Sequence, residues 1–498
     1  MVAERGETVD AIVIGAGHHG LVAANLLADA GWHVRVLEAR DTVGGAVSSG
    51  LLAGRTIDLY SAFYPLGAAS PVIRGLGLEG YGLSWRRAPL ALAHPLPDGR
   101  CAVLSQDLDE TAAALEEFAE GDGPAWRRVY AEWERIGPRV LEAIFQPFPP
   151  VRAGLRLAGA LGAPGLLRFA RFGVLPAGRY GVEEFGGVGA RLIIGGLALH
   201  SDLSLDVPGG ALYGWLLAML GQQHGFPVPA GGAGRLTEAM AARLADRGGE
   251  VRCGTRVDRV LVRDGRALGV RTEGGEVIAA RRAVLADVHA PVLYRDLVGL
   301  DALPARLADD LTRWQPDPAV VKVNWALSGP VPWTAAPARR AGTVHLGSDL
   351  VGEPYALLGQ MTTTDPDRSP PGTETLWGYV HSTDAPGRVA QRLERTLEKY
   401  APGFRDLVEE RSVQQVPPGT VNGGTAGVYQ QLVLRPVPGL GRPDTPIDRL
   451  YLSSASAHPG GGVHGACGAN AARAALRRDG PAGGAYAATI RLAHRLVY

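Results

Sequence analysis

The first 45 residues alternate short apolar runs with an amphipathic segment, which is the pattern of a strand, a helix and a second strand. Ala11–Ile14 is wholly apolar and predicts a strand buried on both faces. A helix is predicted over Leu21–Ala30, with Gly31 after its end, and a strand over His33–Leu37. This order predicts a βαβ unit with a parallel sheet.

A second patterned region follows the glycine-rich residues 229–234. Leu236, Met240 and Leu244 have the spacing of one helix face. Short alternating runs then follow, with glycine turn signals at residues 264–265 and 274–275, and they predict a β-meander that returns through an apolar strand. The predicted strands are Glu250–Cys253, Val257–Arg263, Ala267–Thr272, Glu276–Ala280 and Ala283–Ala286.

The rest of the chain carries fewer regular patterns. Asp109–Ala143 has helical spacing, whereas Ala319–Leu327 and Trp377–His381 predict strands. Near the end, a strand from Leu450 leads through a glycine loop into a helix at Gly465–Leu476. These elements predict a second, mixed region beside the βαβ unit.

Charge and cysteine content narrow the function classes. Fifty basic residues balance fifty acidic ones, so no net positive field attracts nucleic acid, and none is expected as a partner. Cys101, Cys253 and Cys467 are far apart and form no C-x-x-C, so we expect no metal site and no dithiol centre. Redox chemistry would therefore come from a bound cofactor. No apolar run reaches the 18 or so residues of a spanning helix, and the polar Met1–Asp10 predicts a cytoplasmic protein.

A glycine motif lies between the first predicted strand and helix. Gly15-Ala-Gly-His-His-Gly20 is a G-x-G-x-x-G, in which Gly15 permits the turn, Gly17 lets a pyrophosphate approach and Gly20 lets the helix pack closely. The helix N-terminus then faces the phosphate charge. Glu38, at the end of the second strand, is placed to accept hydrogen bonds from a ribose. The sequence thus predicts a dinucleotide site.

Two further motifs indicate which dinucleotide. Gly44-Gly45 follows Glu38 after five residues, and His458-Pro-Gly-Gly-Gly-Val-His464 leads into the last predicted helix. Together they resemble the FAD-binding amine oxidase and phytoene desaturase superfamily. The resemblance implies FAD, with the first pair along the diphosphate, the second loop beneath the flavin and the backbone of Val257 against the adenine. Ala46 stands where many members have arginine.

The residues expected to bind the cofactor come from these motifs and their neighbours. They are Gly15, Ala16, Gly17, His18, His19, Gly20, Glu38, Ala39, Arg40, Gly44, Gly45, Ala46, Val257, Gly461, Gly462 and Val463. The predicted fold class is α/β, a discontinuous Rossmann-type FAD-binding domain with an inserted β-meander plus a mixed α+β substrate domain. The FAD-binding domain is predicted at 1–80, 225–295 and 440–498, and the substrate or lid domain at 81–224 and 296–439.

Three features outside the cofactor motifs are candidates for function. Lys322 resembles the strand lysine that many flavin amine oxidases place near flavin N5 through a water, although a strand lysine can also be simply ion-paired. His458 is a candidate catalytic residue beside the glycine loop. Residues 143–182 contain no acid but five arginines among aromatic and aliphatic residues. This pattern fits either peripheral membrane contact and entry of a lipophilic substrate, or a lid or oligomer contact that is rich in loops.

The main hypothesis is an FAD-dependent oxidoreductase that transfers hydride to flavin N5. The expected reaction is C–C desaturation of an apolar, carotenoid-, polyketide- or other natural-product-like substrate, since the cofactor supplies the difficult chemistry. The alternatives are a flavin amine oxidase, a reduced-flavin cyclase or isomerase, and a catalytically silent FAD-folded scaffold. Substrate identity, electron acceptor and oligomeric state do not follow from the sequence.

Overall fold

A computed structural model of the protein describes residues 7–439 and 441–498. Its strands are β1 (Thr8–Ile14), β2 (Val34–Leu37), β3 (Ser49–Leu52), β4 (Arg55–Asp58), β5 (Trp85–Arg86), β6 (Leu90–Pro95), β7 (Cys101–Leu104), β8 (Val228–Pro229), β9 (Glu250–Arg252), β10 (Val257–Arg263), β11 (Arg266–Thr272), β12 (Val277–Ala286), β13 (Val320–Leu327), β14 (Ala341–Ser348), β15 (Glu353–Gln360), β16 (Glu374–His381), β17 (Val408–Val416) and β18 (Leu450–Leu452). Its α-helices are α1 (His18–Asp29), α2 (Pro65–Ala69), α3 (Pro71–Arg74), α4 (Leu108–Glu116), α5 (Asp122–Ile144), α6 (Val151–Gly173), α7 (Ala177–Glu184), α8 (Val188–His200), α9 (Gly210–His224), α10 (Gly234–Asp246), α11 (Ala305–Thr312), α12 (Met361–Thr364), α13 (Pro386–Tyr400), α14 (Ala466–Asp479) and α15 (Gly483–Val497).

The first sheet is built around β1 and β12. Strands β18, β12, β1, β2 and β9 run parallel in that order. The first half of β12 pairs antiparallel with β11, and β11 pairs with β10, so the meander is continuous with the parallel sheet. Helix α14 packs on α1, and Gly468 lies so close to the carbonyl oxygen of His19 that no side chain fits between them. The predicted α/β class, with a Rossmann-type domain and an inserted meander, is confirmed.

The second sheet is mixed, and its strands β6 and β7 share an apolar cluster with residues of helices α4 to α9. Its order is β17, β13, β16, β15, β14, β6 and β7, in which only the β14–β6 pair is parallel. The helices bury Trp126, Trp133 and Trp215 in one apolar cluster together with β6 and β7. Every strand of the first sheet falls within 1–80, 225–295 and 440–498, and every strand of the second within the remaining segments. The domain boundaries themselves stay a prediction.

One element prediction is wrong. The separate strands predicted at Glu276–Ala280 and Ala283–Ala286 form one strand, β12, in which Arg281 and Arg282 both pair with Asp10. The helical prediction for residues 109–143 corresponds to two helices, α4 and α5. The division occurs where the Glu116 carboxylate accepts hydrogen bonds from the backbone N–H groups of residues 121 and 123, each at 2.8 Å.

The loop-rich structure expected for a lid at residues 143–182 is also wrong. Residues 151–173 and 177–184 are helical, although Pro164 and several glycines lie within them. Gly162 has φ of 64°, which only glycine adopts readily, and it kinks α6 at that point. The prolines and glycines of this segment therefore shape helices and do not prevent them.

A buried ion network joins the end of β4 to the segment between β15 and β16. The Arg368 guanidinium pairs with Asp58, at the end of β4, at 2.6 Å and with Asp365 at 3.1 Å, and all three side chains are fully buried. The backbone N–H groups of Ala233 and Gly231 also donate to the carboxylates of Asp58 and Asp365, respectively, each at 2.7 Å. Loss of one partner would leave a buried charge, so we expect this network to be strongly coupled to folding.

Candidate cofactor and active site

The glycine motif lies at the carboxyl end of β1, where the parallel sheet meets α1. Gly15 has φ of 95° and its N–H donates to the carbonyl oxygen of Leu37 at 2.8 Å, so the chain turns sharply beside the end of β2. A side chain at Gly20 would collide with the carbonyl oxygen of Gly15. The strand and helix therefore approach as closely as the motif predicts.

The second glycine pair packs directly on this loop. Gly44 donates its N–H to the carbonyl oxygen of Ala16 at 2.9 Å and forms a bridge with Gly17. A Cβ on Gly45 would lie 3.5 Å from the Cα of Gly17. The structure thus brings together two loops that are 27 residues apart, both expected to contact the diphosphate.

Glu38 lies between these loops and the meander. One carboxylate oxygen accepts from the N–H of Ala16 at 2.7 Å, and the other accepts from the N–H of Arg40 at 2.9 Å. The carbonyl oxygen of Glu38 accepts from Thr255, two residues before Val257 and the start of β10. Glu38, Ala39 and Val257, which are expected to contact the ribose and the adenine, therefore lie at one edge of the first sheet.

The C-terminal glycine loop places the N-terminus of a second helix beside the two glycine loops. Helix α14 begins after Gly465, and the rings of His19 and His464 lie 5.0 Å apart, next to the start of α1. Loop residues 461–463 and residues 17, 18, 45 and 46 are all partly accessible, although the elements that carry them are buried. Two helix N-termini and exposed backbone amides along one channel fit an anionic dinucleotide such as FAD.

Asp287, which the sequence analysis missed, lies against the glycine motif. It follows β12, and its carboxylate accepts the N–H of Gly20 at 2.8 Å, so it caps α1 from a neighbouring strand. A Cβ on Gly17 would lie 2.5 Å from the same carboxylate oxygen. Burial raises the pKa of Asp287 to about 7, and Glu38 contributes to the rise. Its position at the carboxyl end of a strand parallel to β1 is the signal that could have found it.

Lys322 on β13 is buried, and its side chain contacts the end of β4 and the residues just after it. Its ammonium group donates to the carbonyl oxygens of Asp58 and Tyr60, at 2.8 and 2.6 Å, and lies 4.9 Å from the ring centre of Trp377. Burial lowers the pKa of Lys322 to about 7, and Arg368 acts in the same direction. Since an ammonium group has three N–H donors and two are used here, one remains for a water or a ligand.

The histidines near the loops are neutral at neutral pH. Burial lowers the pKa of His458 and of His464 to about 4 and that of His18 to about 3. The ring of His458 meets Phe148 edge-on, with 6.1 Å between ring centres. The catalytic role of His458 stays a prediction.

His19, His464 and Cys467 bring three potential metal ligands within 4.8 Å of one another. In His464, Nδ1 accepts from the N–H of Ala466 at 3.0 Å, and Nε2 lies 3.2 Å from the carbonyl oxygen of Gly460. These bonds use the lone pair of one ring nitrogen and the proton of the other, so His464 has no lone pair for a metal. The cluster is explained by loop packing.

Residues 143–182 expose apolar side chains on the outside of α6. Leu155 is 69% exposed and Leu167 is 75% exposed. Among the arginines of the segment, Arg156 pairs with Glu142, and Arg171 and Arg179 share Glu183. The acid-free segment is thus partly neutralised by acids at its borders. No helix in residues 7–439 and 441–498 is long and apolar enough to cross a membrane.

Comparison with known proteins places these features in context. The sequence profile described as "Flavin containing amine oxidoreductase" matches residues 20–476. The chain is 27% identical to pyridine nucleotide-disulfide oxidoreductase domain-containing protein 2 of Mus musculus, over 94% of this chain and 93% of that protein. It is 26% identical to the lycopene-forming phytoene desaturase of Pseudescherichia vulneris, over 93% and 98%. Putrescine oxidase bound to putrescine has a similar fold, with a TM-score of 0.62, 17% identity and coverage of 94% and 98%.

Proposed function

Because the chain belongs to the flavin containing amine oxidoreductase family and is therefore an FAD-dependent oxidoreductase, we propose that it desaturates a C–C bond of an apolar substrate. When bound, the flavin supplies a hydride acceptor at N5, and the protein binds and orients the reactants. The observation that carries the proposal is the full-length similarity to a phytoene desaturase, together with the paired glycine loops at two helix N-termini.

The roles proposed for the cofactor residues follow their positions. The N-terminus of α1, with Gly17 and Gly20, would hold the diphosphate, and Glu38 would exchange its backbone partners for ribose hydroxyls. The backbone of Val257 would meet the adenine. Residues 44–46 and 461–463 would contact the diphosphate and the flavin through backbone groups, because these loops carry few polar side chains.

Lys322 is proposed to position a water near the flavin. Its two carbonyl partners fix the ammonium group, and they belong to the segment that follows the second glycine pair. Ser61 in the same segment donates to the carbonyl oxygen of Ala46 at 2.7 Å, so the lysine is coupled to the proposed cofactor loop. The remaining N–H of Lys322 is the group that would hold the water.

A lipophilic substrate is supported by the exposed apolar surface of α6. Leucines flanked by Arg152 and Arg168 form a surface that suits an anionic membrane, from which an apolar substrate could enter. We propose that this surface makes peripheral membrane contact on a cytoplasmic protein. Flotation with phosphatidylglycerol vesicles would test the contact. Equal flotation with neutral vesicles would show that attraction between the arginines and anionic lipid does not contribute to it.

The decisive experiment is anaerobic reduction of the purified, yellow holoenzyme. We expect phytoene in phosphatidylcholine vesicles, or a comparable polyene, to bleach the flavin absorbance and to lose two hydrogens. Bleaching by putrescine and not by polyenes would favour the amine oxidase alternative. Bleaching by neither, with FAD firmly bound, would favour a silent scaffold, and a product of unchanged mass would favour an isomerase or cyclase.

A further inference from the structure

A polar group of side chains lies inside the second domain, facing the proposed cofactor loops. His381, the last residue of β16, has its Nε2 atom 2.5 Å from Oδ1 of Asp202, just after α8. The other oxygen of Asp202 accepts from the side-chain amide of Asn422 at 2.8 Å. The carboxylate is thus held on both sides, and it fixes the imidazole in one orientation. None of these three residues belongs to a recognised cofactor motif.

These side chains form a wall that is partly accessible. His200 is exposed and Tyr379 is partly accessible. The hydroxyl group of Tyr379 lies 2.5 Å from Nδ1 of His200. The side chain of His381 is 26% exposed on the same wall, and that of Asp202 is 5% exposed.

Two chains of contact connect this wall to the proposed flavin site. On one side, Asn422 lies so close to Gly461 that a side chain at position 461 would collide with its amide. On the other side, the ring of His381 meets Tyr379 at 5.7 Å, Tyr379 stacks on Trp377, and Trp377 contacts Lys322. His381 therefore lies between the loop and the lysine that are proposed to flank the flavin.

The hydrogen bond to Asp202 determines which nitrogen of His381 is free. Nε2 carries the proton donated to the carboxylate, so Nδ1 retains its lone pair, and no described residue donates to it. An imidazole that is oriented by a carboxylate, partly accessible and free at its other nitrogen has the arrangement of a general base. The other ionisable groups around this pair are His200 from α8, Tyr379 on the same strand, Tyr213 on α9, and Arg435, which lies beside Tyr213.

We propose that His381 is a catalytic residue that accepts the proton lost during dehydrogenation, and that Asp202 is its positioning residue. This inference rests on the proposed desaturation. One C–H bond breaks and its electron pair leaves with the hydrogen to FAD, the oxidant. The adjacent C–H bond then breaks, its electron pair becomes the new π bond, and its proton forms an N–H bond at Nδ1. The substrate loses two electrons and two hydrogens, and FAD gains two electrons.

The chemistry of this base selects a substrate class. Imidazole is too weak to remove a proton from an ordinary alkane. Loss of hydride from a carbon beside a double bond leaves a stabilised cation, and the C–H bond next to that cation is acidic enough for imidazole. The proposed base therefore suits an apolar chain whose reacting carbons are allylic, and it does not suit a saturated hydrocarbon.

The test uses the FAD-loaded enzyme and phytoene in phosphatidylcholine vesicles. His381→Ala should slow anaerobic flavin reduction by about 100-fold or more while FAD stays bound, and free imidazole should restore part of the rate. Asp202→Asn should slow it less and shift the pH profile. His33→Ala, which removes an exposed histidine before β2, is the control. If His381→Ala binds no FAD, His381→Gln replaces it with the same expected loss.

A second measurement does not depend on turnover. In ¹⁵N spectra of histidine-labelled holoenzyme, assigned by the signals missing in His381→Ala, His381 should carry its proton on Nε2 and none on Nδ1. Protonation of Nδ1 at the assay pH would overturn the base role. So would wild-type reduction rates in His381→Ala, or a loss found in His200→Gln and not in His381→Ala. If no polyene reduces the wild-type enzyme, the proposed function fails and this inference with it.

Discussion

Asp287 makes the stability of the protein depend on pH in an unusual direction. Its carboxylate caps α1 through the N–H of Gly20 and lies against Gly17, in surroundings that raise its pKa from the ordinary value of 3.8 to about 7. Between these two values the folded chain holds a proton that the unfolded chain has released. Stability therefore falls as pH rises through this window, by about 1.4 kcal/mol per unit, and the loss is complete above pH 7.

The substitution Asp287→Asn removes this titration and keeps an oxygen that can accept from Gly20. The window spans about three units, which gives a ceiling of about 4 kcal/mol, and partial accessibility of Asp287 lowers it to about 2–4 kcal/mol. About two of these units lie above pH 5. Between pH 5 and pH 8.5, the free energy of unfolding of the variant, relative to that of the wild type, should therefore rise by about 1–3 kcal/mol.

Urea unfolding of the apoprotein, followed by the fluorescence of its nine tryptophans, measures this difference. Asp264→Asn, at an exposed turn, is the matched control and should show no such trend. The affinity for FAD should also depend on the ionisation of Asp287, because the diphosphate is proposed to bind at the N-terminus of α1, which this carboxylate caps. Wild-type affinity should fall above pH 7, and that of the variant should not. A constant difference in unfolding free energy across the pH range would refute the reasoning.

Three other variants test the proposed site. Gly17→Val should abolish FAD binding, because its side chain would meet the Asp287 carboxylate and fill the diphosphate space, and normal flavin content would contradict that placement. Lys322→Met should slow flavin reduction or reoxidation with FAD still bound, and unchanged rates in both half-reactions would leave the lysine a packing role. Replacing Leu155 and Leu167 together by serine should weaken binding to phosphatidylglycerol vesicles about tenfold or more, as measured by flotation, without altering the flavin spectrum.

Local sequence determined the cofactor half of the protein to a large extent. Residues close together in the chain form the G-x-G-x-x-G loop, the position of Glu38 and the strands around them. Their backbone requirements are specific, so the motifs can be recognised from their order along the sequence. The meander strand β10 was predicted with its observed bounds, Val257–Arg263, because glycine turns mark the strands that follow it. Errors arose where local signals were ambiguous, as at the junction of the two runs that form β12.

Only the tertiary structure decided which distant residues meet at the proposed cofactor and substrate sites. Asp287 reaches Gly20 because β12 lies parallel beside β1, although 267 residues separate the two in sequence. Asp202, His381 and Asn422 come from a helix end, a strand and a loop, and no spacing rule connects them. A hydrogen bond between such groups depends on how sheets and helices pack, and packing is a property of the whole chain that no short motif encodes.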